Sequence, residues 1–356
     1  YPAEILGAVA FHHWRDYFPD FLLGLGSEEY KRKVVSVSAS STRWSQLLAE
    51  LKNDLIKLLP DYDLSFIKLN EPLIDYLQWN TLADSGLLMP PYTLNFVPDY
   101  LSRTLKKEKE RERVRVFMLG SLMRADHFAS LIEDSCGLCC EQIELGKLPV
   151  YDQIRDAMTG HFQEFWQDSF FTANPEMHAR NMVLVAGTGV GKTEFAYLWA
   201  SGRKALMVLP LRVAVNKQWD RAVEFFRGLG SGIRPEIGLL HGNASIDLIE
   251  RTEKTKGADS GNDFEGMRTL MLARHLASPL VISTADQIAP AALRYPGYER
   301  IFASLMGNCL IVDEIQAFDP KAAAIVTAMM EFNHFFGGKN LVMTATLPPF
   351  IRRSLQ

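Results

Sequence analysis

From the first residue to about 167, apolar residues recur three and four positions apart, most clearly over 44–59, 117–132 and 154–165. No run in this half alternates apolar and polar residues as a half-buried strand would, so the spacing predicts helices throughout. From about residue 181 the pattern changes. Short, mainly apolar runs at 182–186, 205–210, 280–284, 309–313 and 340–344 alternate with helical stretches. Strands apolar on both faces and separated by helices predict a parallel sheet covered on both sides. The expected fold is therefore α followed by α/β. It comprises an all-helical domain over 1–150, a connecting segment over 151–180 and a parallel α/β lobe over 181–356.

Some stretches stand outside this pattern. KKEKERERVR at 106–115 is charged almost throughout with mixed sign, which predicts a solvated helix or a mobile excursion rather than a nucleic-acid site. GADSGNDFEG at 257–266 is polar and glycine-rich and predicts a loose surface loop. The alanine-rich run at 322–330 is too short for a bilayer and predicts a buried helix. A length of 356 residues suits two domains, each with its own core. No segment has the roughly 18 unbroken apolar residues of a membrane helix, and no leader-like apolar region opens the chain. The expectation is a cytoplasmic, prokaryotic-type protein with no membrane partner. Four cysteines make no disulfide framework, in keeping with a reducing compartment. Cys136, Cys139 and Cys140 in SCGLCC have a CxxC spacing but no second CxxC or HxxxH, which predicts thiols packed on a helix. A net charge of −4 neither requires nor excludes a nucleic acid.

The densest chemical signal is AGTGVGKT at 186–193, between a predicted strand and a predicted helix. Gly187, Gly189 and Gly191 let the backbone curl so that amide groups point at a phosphate, at a helix N-terminus. Ala186 opens the loop where the strict pattern has glycine, a sterically mild change, and Thr188 and Val190 complete it. Lys192 can reach the β- and γ-phosphates, and the Thr193 hydroxyl can ligate Mg²⁺. CLIVDEIQAFDP at 309–320 ends a buried strand in Asp313-Glu314, at the edge where open α/β sheets place their ligands. Asp313 is expected to hold Mg²⁺, directly or through water, and Glu314 to orient and deprotonate the attacking water. Lying about 120 residues beyond the phosphate loop, this pair predicts an ATPase with Asp313, Glu314 and Lys192 as its catalytic groups.

LVMTATLP at 341–348 places Thr344, Ala345 and Thr346 at another strand end, where short hydroxyl side chains can couple the nucleotide site to a neighbouring lobe. VLPLR at 208–212 and ISTADQ at 282–287 end two more strands. As an ordered set these strand ends resemble superfamily 2 helicases of the DExD/H-box kind. The resemblance implies a RecA-like lobe, strand-phosphate contacts from Arg212 and Thr284, and coupling through Gln316, Thr344, Ala345 and Thr346. Gln316 of DEIQ stands where the family has histidine or aspartate, and it can still hydrogen-bond across an interlobe cleft. The family's adenine-reading glutamine precedes the phosphate loop. Gln163 is the candidate, with Gln167 and, more remotely, Gln153 as competitors.

DEIQAF together with GKTEFA looks most like the CRISPR-associated helicase-nuclease of type I systems. Its members usually carry an N-terminal HD-type nuclease. ILGAVAFHHW at 5–14 and LGSLMRADHFAS at 119–130 place His12, His13 and Asp126 so that they resemble the later histidine pair and closing aspartate of that nuclease. The resemblance implies Mn, Fe, Co or Ni at those residues, for cleavage of a phosphodiester. Taken alone, the same residues also read as surface or packing side chains, since adjacent histidines on a helix point different ways. The family's upstream histidine and His-Asp doublet do not occur, and the chain opens at Tyr1 rather than methionine. A second helicase lobe does not follow. The expectation is thus part of a longer protein, able to bind ATP but hydrolysing it poorly alone. By resemblance, the RNA-guided surveillance complex (Cascade) would recruit the whole at its R-loop. The protein would then move 3′ to 5′ on the displaced single-stranded DNA and degrade it. Two other readings stay open: a superfamily 2 DNA or RNA helicase with a helical accessory domain, and a non-catalytic ATP-binding adaptor. The presence of Lys192, Asp313 and Glu314 speaks against the adaptor.

Overall fold

The computed structural model describes Glu50, Asn53 and residues 106–134, 138–159, 165–230, 232–248, 261–295, 297–348 and 352–353. The chain divides into two compact units, 1–103 and 104–356, and the described residues lie almost wholly in the second. Its frame is a six-stranded sheet: β1 (Met182–Val185), β2 (Ala205–Leu209), β3 (Ile237–Leu240), β4 (Leu280–Thr284), β5 (Cys309–Asp313) and β6 (Lys339–Thr344). The strands lie in the order β1-β6-β5-β2-β4-β3, and every pairing is parallel. The register sets Val185 against Thr344, Asp313 against Met343 and Leu209 against Thr284, so these strand ends share one edge. Every side chain of β2 and of β4 is buried, the physical reason β2 reads as an unbroken apolar run and β4 as one closed by two small hydroxyl residues. The edge strand β1 differs, with Val183 and Val185 exposed.

The helices are α1 (Lys106–Asp134), α2 (Tyr151–Thr159), α3 (Trp166–Ala173), α4 (Lys192–Trp199), α5 (Arg212–Arg227), α6 (Gly261–Arg274), α7 (Ala289–Ala292), α8 (Tyr298–Leu305) and α9 (Pro320–Phe335). Buried along its whole length, α4 carries the phosphate loop into the core and leaves no solvent-facing stripe. α9 starts sharply because Asp319 Oδ1 accepts from the amides of Lys321 and Ala322 at 2.9 and 3.2 Å, with Pro320 at the first helical position. α1 lies against α8 at very close range. A Cβ on Gly120 would stand 2.1 Å from the Glu299 carbonyl oxygen, so the crossing needs a glycine there. Arg113 Nε donates to the Phe335 carbonyl at 2.6 Å, tying the first half of α1 to α9, and Arg124 Nη2 donates to the Ile143 carbonyl at 2.9 Å, tying the second half to the turn that follows it.

Several expectations are corrected. The helix read over 154–165 ends at Thr159, and a second begins at Trp166 after Phe165 in extended backbone. The loop read over 257–266 is helical from Gly261. Cys139 and Cys140 are exposed rather than packed on a helix, and Cys140 opens a short 3₁₀ turn over Cys140–Ile143. β3 carried no signal strong enough to be read, being four residues interrupted by Gly238. The charged run at 106–115 belongs to α1. The helical pattern at 44–59 and Cys136 lie outside the described residues, except for Glu50 and Asn53.

Candidate nucleotide-binding site

The strand ends that share one edge bring the sequence-predicted groups together. After β1 the loop Ala186–Gly191 turns into α4, with Gly189 and Gly191 at φ of 81° and 86°, the left-handed region that glycine enters freely. The Ala186 amide donates to the Thr344 carbonyl at 3.0 Å, and the Glu314 amide to the Met343 carbonyl at 2.8 Å. The phosphate loop and the Asp-Glu pair are therefore both laced to β6 by backbone bonds. Lys192 Nζ donates to the Ala186 carbonyl at 3.0 Å and lies 3.4 Å from Glu314 Oε1. The ammonium thus rests on the loop's own carbonyls and on the second acid of the Asp-Glu pair.

From Glu314 the contacts continue. Gln316 Nε2 donates to Glu314 Oε2, and the Thr344 hydroxyl reaches both Gln316 Oε1 and the Thr346 carbonyl. The Thr346 amide in turn donates to Thr344 Oγ1 at 3.2 Å. A single line of polar contacts thus runs from Lys192 through Glu314, Gln316 and Thr344 to Thr346. Ala345 sits within that turn. Glu314 itself is held at φ 52°, a costly backbone for a residue with a side chain and one found mainly at functional turns.

Burial pushes the Asp313 carboxyl up to about 6; the adjacent Glu314 charge adds to the rise and Lys192 opposes it. Its Oδ1 is buried with no hydrogen-bond partner. A desolvated carboxylate oxygen without a donor fits a hard divalent cation, whose charge would restore the ionised form. Thr193 lies buried at the first turn of α4, directly after Lys192.

The glutamine that meets the loop is Gln167. Its Nε2 donates to the carbonyls of Val190 and Gly191 at 3.3 and 2.9 Å, while its Oε1 is buried and accepts from no protein group. A Cβ on Gly191 would stand 2.1 Å from that amide nitrogen, a second reason for glycine at this position. Gln163 lies outside the described residues. Gln153 is engaged at the start of α2, where its Oε1 accepts from the Val150 amide at 3.1 Å.

Sequence reasoning overlooked two neighbours of the loop. Trp166 donates its indole N–H to the Val190 carbonyl at 2.7 Å and stacks on Phe195 with centroids 5.4 Å apart. Its signal lay in the aromatic run HFQEFWQDSFF around the glutamine. Glu194, buried behind the loop, pairs with Arg221 of α5. An acid directly after Lys-Thr was visible, but only the fold shows it facing inward.

The remaining candidates fall elsewhere. Arg212 is exposed at the start of α5, flanked by Leu211 and Val213, both more than half exposed. Thr284 shares the same sheet edge but is only 6% exposed, and its hydroxyl has no partner, so a strand phosphate reaches Arg212 more readily. Asp126 is half-buried on α1, where its carbonyl accepts from the Ser130 hydroxyl at 3.2 Å. Among the described residues no group of three His, Cys, Asp or Glu side chains is placed to hold a metal. His12 and His13 lie outside the described residues. No helix among the described residues is long and apolar enough to cross a membrane.

The family model for DEAD/DEAH box helicases matches residues 167–354, a span that starts at the loop-contacting glutamine and covers more than half of the chain. The chain belongs to the DEAD/DEAH box helicase family. Helicases of this family take ATP and Mg²⁺, in accord with the loop and the Asp-Glu pair. The resemblance to the type I CRISPR helicase-nuclease also holds. The chain is 29% identical to the CRISPR-associated nuclease/helicase Cas3 of Methanothermobacter thermautotrophicus over 98% of its length and 40% of that protein. It is 31% identical to the CRISPR-associated endonuclease/helicase Cas3 of Thermus thermophilus over 49% of the chain and 20% of that protein. The chain thus spans less than half the length of these relatives. The crystal structure of T. fusca Cas3 with AMPPNP superposes with a TM-score of 0.53 at 18% identity, covering 81% of this chain and 35% of that one, a likeness of fold.

Proposed function

We propose that the chain is the first RecA-like lobe, with part of a helical nuclease region, of an ATP-driven single-stranded DNA translocase that acts in type I CRISPR interference. The observation that carries this reading is the unbroken line of polar contacts from Lys192 to Thr346. In this reading ATP enters with its γ-phosphate beside Lys192, which leaves Glu314 for the phosphate. Glu314 is then free to orient the attacking water, and Gln316 and Thr344 pass the change to the lobe's outer edge. Thr193 and Asp313 would hold Mg²⁺, which when bound would supply positive charge beside the phosphates. Gln167 reads the adenine: with its amide N–H groups spent on the loop, its open Oε1 can accept from the exocyclic amine. Arg212 contacts strand phosphates.

The finer assignments rest on the resemblance to the type I CRISPR helicase-nuclease alone. These are loading by an RNA-guided surveillance complex at its R-loop, 3′ to 5′ movement, and a nuclease using Mn, Fe, Co or Ni at His12, His13 and Asp126. One observation favours a second reading, a superfamily 2 helicase whose helical segment is an accessory. The helix bearing Asp126 is packed on α8 and bonded to the lobe at Arg113. Degradation of circular single-stranded DNA by the full-length protein with Mn²⁺ or Co²⁺ decides between them, run beside Asp126→Ala and Lys192→Ala. Loss of cutting in Asp126→Ala with ATPase intact supports the nuclease, and Lys192→Ala should lose ATP-dependent movement only. Intact DNA in wild type and Asp126→Ala alike, while ATP is consumed, leaves a helicase without a nuclease.

A further inference from the structure

At the strand-starting edge of the sheet, opposite the nucleotide site, a cavity of about 390 Å³ is lined by Tyr151, His178, Ser201, Arg203, Gly307 and Lys339 among others. These residues come from separate elements. Ser201 and Arg203 precede β2, Gly307 precedes β5, Lys339 opens β6, and His178 lies in the turn before β1. The charged groups of the wall are both cations. Neither Arg203 nor Lys339 has a carboxylate partner among the described residues, and no acid lines the cavity.

The arginine of the wall is fixed in place. Arg203 Nη2 donates to the His178 carbonyl at 2.7 Å and to the Trp199 carbonyl, and the guanidinium lies over the Trp199 ring at 5.2 Å. His178 stacks on Phe171 with centroids 4.2 Å apart and meets Tyr151 edge-on at 5.1 Å. Burial, with Arg203 nearby, holds His178 below the ordinary histidine value against a bond to the Trp199 backbone, so its ring offers a neutral face rather than a third charge. Two uncompensated cations facing one concave space concentrate positive potential there, and an anion relieves their repulsion. The space exceeds that of a lone phosphate and adds flat aromatic and imidazole surface beside the charges.

We propose that this cavity binds a small phosphorylated ligand, its phosphate held by Lys339 and Arg203 and its organic part against His178 and Tyr151. The site is independent of the helicase reading above. It gathers the starts of β2, β5 and β6, strands whose far ends carry Arg212, the Asp-Glu pair and Thr344. A ligand seated there braces those strands from behind.

The test titrates inorganic pyrophosphate calorimetrically into the 356-residue chain with its nucleotide site saturated by ADP. One further equivalent should bind. Lys339→Gln should weaken it at least tenfold and Ser201→Ala severalfold, with ADP affinity unchanged in both. Arg203 is left intact because it also supports two backbone carbonyls. Competition by a short single-stranded oligonucleotide supports the site and assigns the phosphate to a strand; its absence supports it and assigns a free small molecule. No binding to the ADP-saturated chain overturns the proposal. So does full binding in Lys339→Gln, or loss of binding in Lys192→Ala, which would locate the pyrophosphate in the phosphate loop.

Discussion

At the scale of single residues, Gln167 is the position where the sequence left a choice and contacts resolve it. Its two bonds to loop carbonyls are each worth about 1 kcal/mol net. Gln167→Ala should therefore raise the KM for ATP about tenfold. It should also erode the preference for ATP over GTP, since the open Oε1 suits an exocyclic amine and not a carbonyl. An equal loss for both nucleotides would reduce Gln167 to a loop support. His275 carries a prediction of another kind. Burial first, then Arg300, His127 and Arg124, lower its pKa to about 4. Between that value and the ordinary 6.5 the unfolded chain binds a proton that the folded chain refuses. Stability is then full above 6.5 and declines as the pH falls toward 4. With solvent screening at a partly exposed ring allowed for, the decline is about 1–2 kcal/mol. His275→Phe keeps the edge-on contact to Phe128 and should flatten the acid side of a melting-temperature profile. Parallel profiles for the two proteins would exclude His275 as the cause.

At the scale of elements, legibility followed burial. The strands β2, β4, β5 and β6 were plain in the sequence because both their faces are covered, and a mainly apolar run of about five residues has few other uses. β3 is as buried but shorter and broken by Gly238, so its signal fell below that of a loop. The phosphate loop and the Asp-Glu pair were legible because backbone curl and charge at a strand end demand particular residues at fixed spacing. Trp166 and Glu194 were not, because what makes each matter is a neighbour far along the chain: Val190 for one, Arg221 for the other. The crossing of α1 and α8 belongs to the same class. Gly120 looks like an unfavourable residue in a helix until Glu299 is seen against it. Gly120→Ala should cost about 1–3 kcal/mol by forcing the helices apart, although alanine is the better helix former. Urea unfolding measures it; a stabilised variant would mean that α1 does not hold this position in solution.

At the scale of the molecule, the lobe has everything that grips a nucleotide but little that finishes the reaction. Among the described residues the cation in contact with Glu314 is Lys192, and Arg221 is committed to Glu194. Phosphoryl transfer in this kind of site gains several orders of magnitude from an arginine at the transferred group. The chain should therefore bind Mg·ATP as a ligand and turn it over slowly. Binding to the folded state alone stabilises it by about 2.7 kcal/mol at a hundredfold excess over Kd. For a lobe of this size that raises the melting temperature by about 5–10 °C. Lys192→Ala should abolish the rise, because the ammonium that now rests on Ala186 and Glu314 is the one the phosphates would take. A rise of that size with slow turnover, unchanged by single-stranded DNA, identifies this lobe as a binding half that needs an opposing surface to catalyse. Fast, DNA-stimulated hydrolysis by the 356 residues would mean that the chain supplies its own transition-state cation. Arg221, released from Glu194 on closure, would then be the first residue to substitute.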